Sequence, residues 1–146
     1  MKLIKAGAII ALALILFSGG YLAGAKTSVT KEIRIGYANS EQPERIDYPT
    51  IITDARDQGT IDNFLMVYLN SKQTEDVTVD NDHPDLYILL LSPKQSTGLI
   101  DSKVWFTAEG AIIGRRAGEN WEQIDYRVIN QDHADFIKEH AGYTKK

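Results

Sequence analysis

Alternating apolar and polar residues predict several β-strands in the part of the chain that follows residue 30. The segment EIRIGY at 32–37 has the two-residue period of a strand that buries one face. Residues 48–53 form a shorter β-like stretch after a polar loop. The run LYILLL at 86–91 is apolar throughout, which is typical of a strand buried on both faces.

Three further segments continue this pattern, at residues 102–107, 111–116 and 124–129. Glycine-containing turns at 108–110 and 118–120 separate them. Turns this short join antiparallel neighbours and leave no room for a crossover helix. The strands from residue 86 onward are therefore expected to form an antiparallel meander.

One segment between the predicted strands, residues 54–72, has the period of an amphipathic helix. Its apolar stripe consists of Ile61, Phe64, Leu65, Tyr68 and Leu69. Asp54, Asp57 and Thr60 are all acceptable N-caps for this helix. The later start is favoured, because Gly59 weakens an earlier turn and the stripe begins after it.

The predicted fold is α+β: an antiparallel four- to five-stranded meander sheet packed by two helices and preceded by an N-terminal signal or anchor helix. The second packing helix is expected to run from an N-cap at Asp132 to a stop at Gly142. The helices around Phe64 and Phe136 are expected to cover one face of the sheet. The residues predicted for the core are Leu65, Tyr68, Ile88, Leu90 and Ile137.

The first 25 residues have the three-part organisation of an export signal. Lys2 and Lys5 are followed by the apolar run AIIALALILF at 8–17 and by the small-residue site at 23–25. A Gly-Gly break before that site favours cleavage after Ala25. The uncharged stretch 6–25 is also long enough to span a bilayer, so an uncleaved single-pass anchor is the alternative.

The predicted domain organisation is a signal peptide or membrane anchor at 1–25 and one extracytoplasmic α+β domain at 26–146, either secreted or held at the cell membrane. A chain of 146 residues is too short for two domains of ordinary size. Its composition, with 43% hydrophobic and 25% charged residues, is that of a globular protein. The net charge of -4 argues against binding to a nucleic-acid backbone, so no nucleic-acid partner is predicted.

The sequence contains no cysteine, which excludes disulfides, thiolate metal sites, cysteine nucleophiles and a lipoprotein anchor. The usual catalytic and phosphate-binding motifs are also missing. Asp80-Asn81-Asp82 begins like a calcium loop, but Pro84 and Asp85 stand where an EF-hand needs an oxygen ligand and a glycine. We therefore predict no catalytic residue, no cofactor and no metal site.

The candidate interaction surface consists of Arg115, Arg116 and Trp121, which lie close together in an otherwise acidic chain. Arginine and tryptophan are enriched at binding hot spots. Adjacent residues on a strand point to opposite faces, so at most one of the two arginines can share a face with its neighbours. The alternatives are an arginine that pairs with the acidic loop at 74–85 and a Trp121 that packs in the core.

Several segments resemble the YhfM-like domain, a small extracytoplasmic domain of Gram-positive bacteria. The similar segments are Ile51-Ile52-Thr53-Asp54, Asn70-Ser71-Lys72, Pro84-Asp85-Leu86-Tyr87, Val104-Trp105-Phe106, Ile124-Asp125-Tyr126 and the Asp-rich last helix. The resemblance covers residues 31–141 and implies the fold and the compartment, but no biochemical activity. The chain departs from the family in lacking the lipobox cysteine that usually provides its anchor.

These observations predict a non-catalytic extracytoplasmic interaction domain that binds a protein partner or an envelope component. The membrane would be a further partner through residues 6–25 if the signal is not cleaved. The alternative is a small cell-envelope enzyme that acts on wall polymer. Such an enzyme needs two carboxylates at a fixed separation across a cleft.

Overall fold

The computed structural model describes residues 29–144 of the chain. The strands are β1 (Glu32–Ala38), β2 (Ile46–Thr53), β3 (Lys72–Gln73), β4 (Leu86–Ser92), β5 (Thr97–Thr107), β6 (Gly110–Arg116) and β7 (Ile124–Asn130). The helices are α1 (Asp54–Asn70) and α2 (Gln131–Ala141), with a short 3-10 helix at Pro93–Gln95. Within residues 29–144 no helix is long and apolar enough to cross a membrane. The predicted N-terminal signal or anchor helix lies outside the described residues.

The strands form one antiparallel sheet in the order β2-β1-β4-β5-β6-β7-β3. The predicted α+β class and the meander from β4 to β7 are confirmed. The predicted number of four to five strands is wrong, because the sheet has seven. The hairpin of β1 and β2 joins the meander through pairing of β1 with β4, and the two-residue β3 adds the far edge beside β7.

The order of the strands determines the course of the segment 74–85. β3 lies at the edge beside β7, whereas β4, the next strand in the chain, lies between β1 and β5. The connection between them must therefore pass back across β7, β6 and β5. We call this connection the strap.

Helix α1 contains a kink that decides between its possible caps. Asp57 has φ -149° and ψ 78°, which is not helical, so the helix is broken there. Its carboxylate accepts hydrogen bonds from the backbone N–H and the hydroxyl of Thr60, at 2.9 and 2.7 Å. Asp57 therefore caps the main part of α1, and the three residues before it form a separate turn that begins at Asp54.

The N-cap of α2 is Asn130, whose side chain accepts a hydrogen bond from the backbone N–H of His133 at 3.0 Å. The prediction of Asp132 as the cap is wrong, because the helix begins at Gln131 and Asp132 already lies in its first turn. The predicted stop at Gly142 is confirmed: this residue has φ 61°, in the left-handed region that glycine adopts without strain.

The main core lies between the two helices and one face of the sheet. Phe64 of α1 and Phe136 of α2 meet there, with ring centroids 4.9 Å apart. Four of the five residues predicted for the core are buried, and Leu65 is partly buried against them. Leu69 is 74% exposed, so its assignment to the apolar stripe of α1 is wrong. Val67 is buried instead, because the contact face of the helix is rotated toward it.

Candidate functional site

The face of the sheet opposite the helices is defined by Arg34, Leu89, Asp101, Lys103 and Arg116, and we call it the open face. Side chains along a strand alternate between faces. The neighbours of these residues on β1, β4 and β5 belong to the main core, so they themselves project from the other side. The open face runs across the sheet from β1 to β7.

Two aromatic residues are buried on the open face although they lie outside the main core cluster. Tyr87 is 6% exposed and Trp105 is 7% exposed. A glycine at 114 lets the Trp105 ring lie against the sheet, since a Cβ there would come within 3.0 Å of the ring. Trp105 also lies beside Tyr126 of β7, with ring centroids 6.3 Å apart. The open face therefore has its own layer of packed aromatic side chains.

The structure separates the two predicted arginines. Arg116 lies on the open face, where its Nη2 is 3.1 Å from a carboxylate oxygen of Asp101. Its Nη1 donates a hydrogen bond to the backbone carbonyl of Glu119 at 2.9 Å. Arg115 points to the helix side, beside Asp125 at 3.9 Å. The acidic partner of Arg116 is thus Asp101 of β5 and not the acidic strap.

Trp121 lies in the loop between β6 and β7 and is partly buried. The Nζ of Lys103 lies 4.7 Å from the centroid of its ring, which is a cation–π contact. Trp121 is not a member of the main core cluster. It shares the open face with Lys103 and Arg116, so two of the three predicted residues come together and Arg115 does not.

The charged side chains of the open face near Trp121 include Lys103, Arg116 and Asp101. Burial raises the pKa of Asp101, although the positive charges of Arg116 and Lys103 oppose the shift. Arg116 and Lys103 therefore both act on the same carboxylate, while the strap brings the acidic residues Asp80 and Asp82 to this face.

The strap crosses the open face and is fixed to it by three side chains. The indole N–H of Trp105 donates to the backbone carbonyl of Asp80 at 2.8 Å, and Lys103 Nζ donates to that of Asn81 at 2.7 Å. The hydroxyl of Tyr126 donates to the side-chain oxygen of Asn81 at 2.8 Å. The open face thus provides the hydrogen-bond donors, and the strap provides the oxygen acceptors.

A histidine at the end of the strap reinforces its turn. His83 Nδ1 donates to a carboxylate oxygen of Asp80 at 2.8 Å. This hydrogen bond is the main cause that raises the pKa of His83, and it also lowers the pKa of Asp80. Both side chains are exposed, so the pair shapes the turn at the surface.

Sequence reasoning missed Lys103, Trp105 and Tyr126 as parts of this site. Alternation places Lys103 and Trp105 on one face of a single strand. Their meeting with Tyr126 depends on the register, in which β6 lies between β5 and β7. The signal that was present in the sequence was the side-chain amide of Asn81, because the other two hydrogen bonds end on backbone carbonyls that any residue provides.

The comparisons with known proteins add no family to this geometry: no family model, no curated protein and no solved structure matches the chain. The resemblance to the YhfM-like domain stays a prediction.

Among residues 29–144 no group of three histidine or acidic side chains is arranged to hold a metal ion. The open face presents cationic and aromatic side chains, among them Lys103, Arg116 and Trp121.

Proposed function

We propose that this chain is a non-catalytic extracytoplasmic interaction domain that binds a protein partner through the open face. The observation that carries the proposal is the grouping of Arg116, Lys103 and Trp121 at the surface. Arginine and tryptophan dominate binding hot spots, because each buries a large area and combines apolar contact with hydrogen bonding. The helices leave this group uncovered, since they pack on the other face.

The chemistry of the open face favours a partner segment rich in oxygen acceptors. The donors of Trp105, Lys103 and Tyr126 already bind backbone and amide oxygens of the strap. Arg116 likewise binds oxygen acceptors, namely the carboxylate of Asp101 and the backbone carbonyl of Glu119. We therefore propose, as the partner, a protein segment with accessible backbone and side-chain oxygens, held by Arg116 and Lys103 and packed against Trp121.

The extracytoplasmic location rests on the sequence of residues 1–25. A fusion of residues 1–30 to a reporter that is active only outside the cytoplasm should be active. An inactive fusion that accumulates inside the cell would overturn the location. Mass spectrometry of the mature protein then separates cleavage after Ala25 from an intact anchor.

The binding proposal is tested with alanine variants of the full chain, expressed in intact cells and crosslinked before capture. Arg116→Ala and Trp121→Ala should each lose the captured partner, while thermal unfolding shows that the domain still folds. Arg115→Ala is the matched control, because it is the same residue type one position away and points to the helix side. It should keep the partner.

The control also defines the result that contradicts the proposal. Equal loss of the partner in Arg115→Ala and Arg116→Ala would show that the open face is not the binding surface. Retention of the partner in Arg116→Ala and Trp121→Ala would show the same. Turnover of wall fragments by the purified chain would instead support the enzymatic alternative.

A further inference from the structure

A cleft of about 1060 Å³ lies at the end of the sheet, where β1 ends and β2 and β4 begin, next to the C-terminal end of α2. Its lining combines aromatic rings with carboxylates. The side chains used below are Tyr37, Tyr48, Tyr143, Asp47 and Asp85. In the described part of the chain, no lysine or arginine belongs to the lining. We call this space the end cleft.

Asp85 is a fixed negative charge on the wall of the end cleft. One of its carboxylate oxygens accepts a hydrogen bond from the backbone N–H of Phe106 at 2.7 Å, and the other accepts from the hydroxyl of Tyr143 at 2.8 Å. Both donors are neutral, so neither forms an ion pair with the carboxylate. Lys138, which lines an adjacent pocket together with Asp85, pairs with Asp135. Burial raises the pKa of Tyr143 to about 12, so the hydroxyl stays protonated and remains a donor at neutral pH.

The tyrosine rings of the end cleft are also held in place. The hydroxyl of Tyr37 donates to the backbone carbonyl of Ala141 at 3.1 Å. Tyr48 lies so close to Gly36 that a Cβ there would be 2.8 Å from its ring. Tyr143 packs against Phe106, with ring centroids 4.7 Å apart. The rings need little reordering to receive a ligand, which lowers the entropic cost of binding.

The second carboxylate, Asp47, is partly compensated. Arg45 lies 2.9 Å from one of its oxygens, and the side-chain amide of Asn39 donates to the other at 2.6 Å. Asp85 is therefore the main electrostatic anchor of the end cleft. Asp47 and Asn39 add polar groups to the lining.

We propose that the end cleft binds a small organic ammonium ion, with Asp85 as its charge partner and the tyrosine rings as its walls. Aromatic rings and a carboxylate together attract a cation that also carries apolar surface. A hard metal ion is the less suitable ligand, because it needs six or more oxygen ligands, and rings occupy much of the wall here. This proposal does not depend on binding at the open face, which uses other side chains, although Asp85 is the last residue of the strap.

The test compares a cation with its neutral counterpart. Full-length protein, purified in a neutral detergent, is titrated with choline and separately with 3,3-dimethylbutan-1-ol, which has the same shape without the charge. Choline should give saturable NMR shifts at Gly142 and Thr144, which line the cleft, and the neutral alcohol should not. No shift with choline, or equal shifts with both compounds, would overturn the proposal.

Variants identify the groups that act in the end cleft. Asp85→Asn keeps the shape of the side chain, and it should weaken choline binding on the order of tenfold or more. Tyr48→Leu should also weaken binding, and it decides the question if Asp85→Asn proves not to fold. Asp62→Asn, which makes the same change of charge at an exposed position of α1 outside the cleft, is the control and should bind choline like the parent chain. Unchanged binding in both cleft variants would refute the assignment.

Discussion

A buried pair of hydroxyl groups gives the sharpest stability prediction of this fold. Tyr68 of α1 and Ser102 of β5 are both buried, and their oxygens are 2.7 Å apart. Ser102 Oγ also donates to the backbone carbonyl of Ile88 at 3.1 Å. Since Ser102 has a single hydroxyl proton, Tyr68 must be the donor in the bond between the two side chains. Burial raises the pKa of Tyr68, so it remains protonated.

The two single substitutions should therefore differ in cost. Tyr68→Phe removes one hydrogen bond but leaves Ser102 bonded to Ile88, so we expect a loss of about 1 kcal/mol of unfolding free energy. Ser102→Ala leaves the Tyr68 hydroxyl buried without its acceptor, and we expect about 1–3 kcal/mol. In the double variant no hydroxyl is left buried without a hydrogen-bond partner. Its cost should fall short of the sum of the single costs by about 1 kcal/mol.

Urea unfolding of the full chain, followed by tryptophan fluorescence, measures these three differences. Tyr126→Phe serves as the control, because it also removes a tyrosine hydroxyl but does so on the exposed strap contact. Additive single costs would refute the coupling of the two hydroxyls. A Ser102→Ala cost no larger than that of Tyr68→Phe would refute the direction of donation.

Three further predictions concern the core, a helix cap and pH. Leu90→Ala should cost about 2–5 kcal/mol because Leu90 is 2% exposed, and a change within about 0.5 kcal/mol in urea unfolding would contradict a central β4. Asn130→Ala should lower the unfolding free energy by about 1 kcal/mol in thermal unfolding, whereas Asp132→Ala should change it little. A larger loss in Asp132→Ala would instead support Asp132 as the cap. The hydrogen bonds from Thr60 lower the pKa of Asp57 below 3.8. The ionised Asp57 therefore stabilises the fold above pH 3.8, and this stabilisation is lost as the pH falls through the lower pKa of the folded state. Asp57→Asn should flatten the acid side of the stability curve, and an unchanged acid side would contradict this cap.

The parts of the fold that follow from local pattern could be predicted from the sequence. The alternation in β1 and the short turns between β4 and β7 determine strands and antiparallel order without knowledge of distant contacts. The stop of α2 at Gly142 follows from the freedom of glycine to adopt a left-handed conformation. These features depend on residues a few positions apart.

The parts that depend on distant pairing could not be predicted. The two-residue β3 has no periodicity of its own, and it is a strand only because it pairs with β7 more than fifty residues later. The exposure of Leu69 depends on how α1 is rotated on the sheet, which the stripe alone does not define. The cap at Asn130 was missed because both Asn130 and Asp132 are good N-caps and only the end of β7 decides between them.

In the candidate site, too, local features could be predicted from the sequence and contacts between distant segments could not. Alternation alone separates Arg115 from Arg116, and it needs no tertiary contact. The contact of Lys103 with Trp121 joins β5 to a loop beyond β6, so it depends on the register of two strand pairs. The passage of the strap over the open face follows from the strand order, which the sequence does not contain in any local form.

The most direct test of the open face as the binding surface is site-specific photocrosslinking in intact cells. A photoreactive amino acid replaces Glu122, next to Trp121, or Glu139, which lies on α2 on the other side of the sheet; both positions are exposed glutamates. Binding at the open face predicts a discrete protein adduct from position 122 that disappears in the Arg116→Ala background, and none from position 139. An adduct from position 139 alone, or an adduct from 122 that survives Arg116→Ala, would contradict it.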